Sequence, residues 1–516
     1  MKTVIVPLVG DPSETLYHLG LKEKDSFRKL ENRVTNLLST NLILRQSKDI
    51  FSRAKSKINK ARSTSFFDIC LKAYCAGLGI EVARYKSFIS LFEMAAHSGQ
   101  IFPELKGLLP GCTSLFQKTE NGLTHSRLID FPLIGIFDAT PRLYFWQFEG
   151  KQKILNFSCE GLAPLFFQSV HENGMSIALH HKPSKSIHEE GQSIFQITFD
   201  LLFDIQNLNE FKKELKKNIS MTKWSYLLLD KEGQALSVDI DGPAIQTESF
   251  NLNETSPLIF TNIPIQKDSA GFESYLQFSL DRQIWLKEKL SKPQNQHPLD
   301  LMTDVGQQKT KAGPHPTGTL STTGALHINL SKGLIDIKEG DGALVCSDPI
   351  VQFSLSHIHQ SKVLKKGVEQ TQFEKAWKRA SLAQSAFDQN ELDLAYHELQ
   401  MAIILMPNKA WREIFSFYLC VWDYKFLSNN KELALVYKGL KKLNVPPSIK
   451  DQWLLLCMRF EKRLGLAYTV KSSDLSPHHQ KLFDQETLAS KPVFTAWMKL
   501  LYPRIEILDV LSPHDR

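Results

Sequence analysis

An α+β layered domain flanked by helices is the fold class that this 516-residue chain predicts, and three observations predict it. Between residues 112 and 355, short strand-like runs alternate with turns. Two blocks of helical periodicity interrupt them, rather than one helix after every strand, which disfavours βαβ units. On either side, residues 1–107 and 370–516 carry apolar residues at three- and four-residue spacing. A chain of this length exceeds what one hydrophobic core serves, so two or three domains are expected.

Taken in order, the chain opens on "VIVPLVG", a short apolar stretch broken by Pro7 and Gly10. It makes a poor secretory signal, so the protein reads as cytoplasmic. Helical spacing runs through "ENRVTNLLSTNLILRQ" and "SFFDICLKAYCAGLGIEVARYKSFISLFEMAAH", and Pro110-Gly111 ends it. Residues 1–111 hold 17 Lys+Arg against 10 Asp+Glu, so the whole net charge of +7 sits in this segment. Much of it lies between Arg45 and Arg62, where Ile50, Phe51, Ala54 and Ile58 recur at helical spacing. A solvated helix face is the expectation, with contact to an anionic membrane surface as the rival. No nucleic-acid motif accompanies the charge.

From residue 112 the strand-like runs are "CTSLFQKT", "LTHSRLIDFPLIGIF", "RLYFWQFEG", "KILNFSC", "MSIALHH", "WSYLLLDKEGQALSVDI", "PLIFTNIP", "TLSTTGALHINL" and "GLIDIKEGDGALVC". The interposed helical blocks are "SIFQITFDLLFDIQNLNEFKKELKKN" and "SLDRQIWLKEKLSK". "QKTKAGPHPTGTLSTTG" lacks the ending of a phosphate-binding loop, so no nucleotide is assigned. Beyond residue 370, Ala383, Ala395, Leu399, Ala402 and Pro407 fall on the packing positions of one tetratricopeptide-like unit, residues 376–409. "ELALVYKGLKKLNVPP" could be a degenerate second copy, and a plain helical domain is preferred to a peptide-binding groove. The seven cysteines are scattered without a CxxC pair, which disfavours a disulfide framework and a zinc cage. No metal or organic cofactor is expected.

The chemistry-bearing stretch is "LLPGCTSLFQKTENGLTHSRLIDFP", Leu108 to Pro132. Taken alone, Cys112 is commonly a buried, inert thiol, and Arg127 with Asp130 a salt bridge across a turn. The functional reading starts from the need for a thiolate: something must remove the sulfur's proton. An α-amino group, with a pKa near 8, can do so when the nucleophile is the first residue of its chain. Cys112 is internal, so the peptide bond after Gly111 would have to be cut. Glycine there would tolerate the strained backbone that attack by the neighbouring sulfur requires.

"GCTS" followed by "SRLIDF" resembles the N-terminal nucleophile hydrolases of the choloylglycine hydrolase and penicillin V acylase group. It resembles more closely still the acyl-coenzyme A:6-aminopenicillanic acid acyltransferase family and acid ceramidase. The likeness continues through "HENGMSIALHH", "WSYLLLDKEGQALSVDIDGP", "PLIFTNIP", "FSLDRQIWLKEKL" and "TLSTTGALHINLSKGLIDIKEGDGALVCSDP", and so covers residues 70–355. It implies a four-layer αββα sandwich over 112–355, with a helical pro-segment, residues 1–111, before it and the helical domain, 370–516, after it. It implies Cys112 as nucleophile, Arg127 as a fixed cation favouring the thiolate, and Asp130 orienting the new α-amino group. Asn262 would donate to the oxyanion, a contact whose loss elsewhere costs about 3–4 kcal/mol, and Arg282 would complete the charge network. Where the family has asparagine after the arginine this chain has Leu128, and Thr261-Asn262-Ile263 replaces Thr-Asn-His. His180 and His181 stand where relatives place an asparagine, so either could be a second oxyanion donor.

The resemblance therefore implies a self-processing amidohydrolase or acyltransferase acting on a linear amide or thioester. The aromatic residues Tyr144, Phe145, Trp146, Phe166, Phe167 and Phe199 to Phe203 would line the acyl pocket. Two rivals stand beside it. One is a silent scaffold whose C-terminal helices bind a protein partner; the other is a lipid hydrolase recruited to membranes by Arg45–Arg62.

Overall fold

The computed structural model describes residues 2–40, 65–101, 111–131, 135, 138–184, 187–266, 273–292, 295–306, 316–357, 360–446 and 449–488. The Arg45–Arg62 run lies outside them. The strands are β1 (Val4–Gly10), β2 (Gly111–Thr119), β3 (Gly122–Asp130), β4 (Pro141–Phe148), β5 (Ile154–Cys159), β6 (Gln168–His171), β7 (Ser176–His181), β8 (Trp224–Leu229), β9 (Gln234–Asp241), β10 (Ala244–Asn251), β11 (Leu258–Phe260), β12 (Thr322–Asn329), β13 (Leu334–Lys338), β14 (Ile350–Ser354) and β15 (Ser361–Lys365). The helices before residue 370 are α1 (Pro12–Thr40), α2 (Phe66–Leu78), α3 (Val82–Ile101), α4 (Ile194–Leu202), α5 (Leu208–Leu215), α6 (Glu273–Leu290) and α7 (Pro298–Met302).

Among the described residues two sheets form: one of eight strands in the order β1-β4-β5-β6-β7-β8-β9-β10, one of seven in the order β11-β2-β3-β12-β13-β14-β15. They face each other, because Ser114 and His125 of the second sheet hydrogen-bond His180 and Ser176 of the first, at 2.8 and 2.7 Å. The alternate residues Leu115 and Leu128 point the other way, into a cluster with Trp285 and Leu286 of α6 and Leu299 of α7. Helices also cover the first sheet's outer face. Tyr226 of β8 bonds Thr198 of α4 at 2.9 Å, and the Tyr144 hydroxyl of β4 donates to Glu23 of α1 at 2.6 Å.

The N-terminal segment, expected to be largely helical, opens on a strand. Its first element, β1, pairs in parallel with β4 from Val4↔Arg142 to Gly10↔Phe148 and forms the sheet's edge. Pro7 is tolerated there because an edge strand can lack one N–H without breaking an interior ladder. α1 and α2 then cross closely through a glycine pair. A Cβ on Gly20 would lie 2.2 Å from the Tyr74 carbonyl oxygen, and one on Gly77 2.1 Å from that of Tyr17. The expected boundary at 355 also moves, since the second sheet continues to β15.

Two buried carboxyls tie this segment to β4 and to the start of α4. Glu23 accepts from the Tyr74 and Tyr144 hydroxyls and, at 3.0 Å, from the Gly161 N–H; Glu93 of α3 accepts from the Ile194 N–H at 2.6 Å. Burial pushes both carboxyls up to about 7, against the pull of those hydrogen bonds. A carboxyl that ionises later in the folded state than near 4.5 in the unfolded one stabilises fully below that lower value. The contribution is lost as pH rises through about 7. Glu23→Gln, neutral at every pH, is expected to flatten the fall in melting temperature between about pH 5 and 8 and to exceed wild type at the upper end. Thermal unfolding followed by circular dichroism checks this; an unchanged slope would remove Glu23 from the account.

Residues beyond 370 form α8 (Gln372–Asp388), α9 (Leu392–Leu405), α10 (Lys409–Phe426), α11 (Asn430–Leu440), α12 (Lys450–Leu464) and α13 (Pro477–Leu488). α8 opens with a capping box in which Thr371 and Glu374 satisfy each other's backbone N–H. The residues of the expected repeat unit, 376–409, fall mostly on the α8–α9 helix pair, where Ala383, Ala395, Leu399 and Ala402 are all buried. These helices share one apolar cluster with Val305, Leu320, Ala343 and Val345 of the sandwich. Lys378 pairs with Asp348 at 2.5 Å, and the Ser381 hydroxyl accepts from the Ala343 N–H at 3.0 Å. The tail is packed on the body.

Candidate active site

The β2–β3 hairpin turns through Glu120 and Asn121, with Gly122 at φ 112°, a conformation open to glycine. That turn sets the register Gly111↔Asp130 and Ser114↔Arg127. Strand alternation then divides the candidate residues between two faces. Cys112 shares its face of β2 with Ser114, which reaches across to β7, whereas Thr113 and Asp130 meet α6.

On the inner side, Arg127 Nη2 donates to Cys112 Sγ at 3.3 Å. The same guanidinium donates to the Phe167 and Leu179 carbonyls and, at 3.4 Å, to Gln168 Oε1. It is 0% exposed and has no carboxylate partner among the described residues. A buried cation so placed leaves the sulfur as the one bonded group able to carry the opposite charge.

On the helix side, Arg282 of α6 converges on the same residue. Nη1 donates to the Cys112 carbonyl at 3.2 Å, to Thr113 Oγ1 at 2.9 Å and to Asp130 Oδ2 at 3.0 Å. Nη2 donates to Asn262 Oδ1 at 2.9 Å, and the guanidinium lies 4.6 Å over the Phe278 ring. Asp130 also accepts from the Thr322 hydroxyl at 2.7 Å. Burial pushes its carboxyl above the ordinary range, while Arg282 and Thr322 pull it back.

Asn262 follows β11. Its Oδ1 accepts from the Cys112 backbone N–H at 2.9 Å, and its Nδ2 donates to the His181 carbonyl at 2.8 Å. The carbonyl end of this amide thus addresses the Cys112 nitrogen, and one amide hydrogen is committed to His181. An oxyanion role rests on the other hydrogen.

Cys112, Arg127, Asp130, Asn262 and Arg282 are therefore brought together. Gly111 differs in the reason for its identity: its φ is not positive, so no left-handed strain is stored there. Space is what requires glycine. A Cβ would stand 3.0 Å from Asp130 Oδ2 and 3.5 Å from Arg282 Nη1. Leu128, at the position where asparagine was expected, is core beneath α6 and α7.

The two histidines separate. His181 lines a small apolar cavity beside Cys112, with Phe92, Ile129, Phe131, Phe167, Leu179 and Trp224. His180 instead joins a buried network between the sheets. Its Nε2 meets Ser114 Oγ at 2.8 Å, which meets His125 Nε2 at 3.1 Å, and His125 Nδ1 meets Ser176 Oγ at 2.7 Å. Burial first, and the Arg127 charge second, hold both imidazoles well below their ordinary range, so both are neutral. Of the aromatic residues expected to line an acyl pocket, Phe167 borders this small cavity. Trp146, Phe166, Phe199 and Phe203 pack on one another in the core, with ring centroids 5.0–6.0 Å apart.

Sequence reasoning missed Phe92, Thr322 and Lys182. Lys182, next to His181, is 3% exposed, and a lysine closing an apolar strand was its only signal. One trio among the described residues offers metal-ligand atoms within 4.8 Å of one another: His297, His327 and Asp336. Its hydrogen bonds argue against an ion. His297 Nδ1 accepts the Leu299 N–H at 3.2 Å, which places the ring proton on Nε2, and Nε2 donates to Asp336 at 3.0 Å. That nitrogen has no lone pair to give.

No protein-family model matches the chain, nor does any curated protein. Among solved structures it is similar to penicillin V acylase from Agrobacterium tumefaciens, at 13% identity and TM-score 0.30 over 48% of this chain and 86% of that one. It is also similar to a variant of conjugated bile acid hydrolase from Clostridium perfringens, at 12% identity and TM-score 0.30 over 50% and 99%. Likeness this slight leaves the assignment to the chain's own geometry.

Proposed function

We propose that the chain is a cysteine N-terminal nucleophile hydrolase or acyltransferase, cutting itself before Cys112 and then cleaving a linear amide or thioester through an acyl-cysteine. One observation carries this reading: Cys112 is gripped at all three of its ends. Its nitrogen lies on Asn262, its carbonyl on Arg282 and its sulfur on Arg127. An inert core thiol has no need of such contacts.

In the first step, the sulfur attacks the Gly111 carbonyl carbon. The C–N bond to Cys112 breaks, the nitrogen takes the thiol proton, and water then hydrolyses the thioester. The freed α-amino group remains on Asn262 Oδ1, where it can draw the proton from its own sulfur. In turnover, the sulfur attacks a substrate carbonyl, with the remaining Asn262 amide hydrogen placed to meet the oxyanion. The leaving amine or thiol departs protonated, and water or a second amine takes the acyl group. The apolar walls of the cavity, Phe92, Ile129, Phe131 and Trp224 among them, suit an apolar acyl chain.

The test is acyl trapping. Protein is mixed with p-nitrophenyl hexanoate, quenched in acid and digested. The hexanoyl mass is expected on the peptide starting at Cys112 in wild type and nowhere in Cys112→Ala. An adduct on another residue, or none, would sink the assignment.

A further inference from the structure

We infer that Lys182 is a positioning residue for the proposed reaction, acting through the two carbonyls that flank Asn262. The inference rests on the reading of Asn262 as part of the reacting site. Lys182 Nζ donates to the Thr261 carbonyl at 2.8 Å and the Ile263 carbonyl at 2.6 Å. Residues 261–263 have left β11, so no ladder holds their backbone, yet Thr261 and Asn262 are 2% and 0% exposed. Buried carbonyls without a ladder need donors, and one ammonium supplies both. Two residues on, Asp239 Oδ2 accepts from the Ile265 N–H at 2.7 Å. The segment is thus strapped to the first sheet by a cation on its carbonyls and an anion on its N–H.

The peptide planes on either side of Asn262 set where its side chain points. That side chain must meet the Cys112 N–H, Arg282 and the His181 carbonyl at once, within 2.8–2.9 Å. Holding these carbonyls with a lysine costs the desolvation of its charge, which an apolar side chain of equal size would avoid. Burial draws the ammonium down to about 8; Asp239 and Cys112 pull it up, while Lys223 and Arg282 push with burial. His180 also feels the Lys182 charge, and burial keeps that imidazole neutral.

The experiment compares wild type, Lys182→Met, Asn262→Ala and the double variant on p-nitrophenyl hexanoate. Lys182→Met is expected to lower kcat roughly 10–100-fold with KM nearly unchanged, the size of loss that misplacement by about 1 Å produces. In the Asn262→Ala background it is expected to cost nothing further; additive losses would overturn the inference. Lys182→Arg keeps the charge and donors and serves if the methionine variant does not fold. Wild-type kcat is expected to fall above about pH 8, as the ammonium loses its proton, and the arginine variant to lack that limb. The same alkaline limb in both would also overturn it. Amide hydrogen exchange at Asn262, Ile263 and Ile265 separates the two readings. Faster exchange in Lys182→Met without any wild-type turnover keeps the strap and sinks the enzyme, whereas normal turnover with unchanged exchange and kcat sinks the strap alone.

Discussion

Purified wild-type protein is expected to contain two polypeptides, residues 1–111 and 112–516, that elute together, and Cys112→Ala a single one. The cut requires the sulfur to attack the carbonyl immediately before it, and the alanine variant has no atom to do so. Co-elution follows from the fold. The first fragment supplies β1, paired along seven residues with β4, and places Glu23 and Glu93 as buried acceptors for groups in the larger fragment. It also supplies Phe92 to the cavity wall. Denaturant, not salt, should therefore separate the pieces. Intact-mass measurement reads both results, and a wild type that stays whole would leave no α-amino base and end the mechanism.

Arg282→Met is expected to remove self-cleavage and to cost stability of about 3–5 kcal/mol, the scale for breaking one partner out of a buried ion pair. Arg282 and Asp130 are 0% and 2% exposed in that pair. Without the guanidinium, Asp130 keeps its bond to Thr322 but loses its counter-charge in a site where burial already raises its carboxyl. Asn262 loses its second grip and the Cys112 carbonyl its donor. The double variant Arg282→Met, Asp130→Leu separates fold from function. Stability should largely return, because no buried charge is left unpaired, while cleavage should not. Urea titration and intact mass check the two halves, and a methionine variant that still cleaves would remove Arg282 from the site.

The hairpin half of the site was legible because its geometry is local. Glu120-Asn121-Gly122 sets a tight turn, the turn sets the register, and the register brings Gly111 opposite Asp130 and Ser114 opposite Arg127. Asn262 and Arg282 could be named only through resemblance, since nothing in 150 to 170 residues of intervening sequence measures their approach to Cys112. The aromatic run around Trp146 misled for the complementary reason: composition records apolar character, not which side of a sheet it faces. "VIVPLVG" likewise looked broken by Pro7, because sequence does not tell an edge strand from an interior one.

By itself, then, the order of residues determined the β2–β3 hairpin and the helical stretches on either side of the sheets, because these depend on neighbours a few positions away. Tertiary structure alone decided that Arg282 would hold Cys112, Thr113, Asp130 and Asn262 at once, that Lys182 would lie against the backbone of Asn262, that His181 would face the cavity and His180 would not, and that the segment before Cys112 would be woven into a sheet. Each of these is a contact between elements distant in the chain, fixed by how two sheets and their covering helices bury a common core rather than by any local preference.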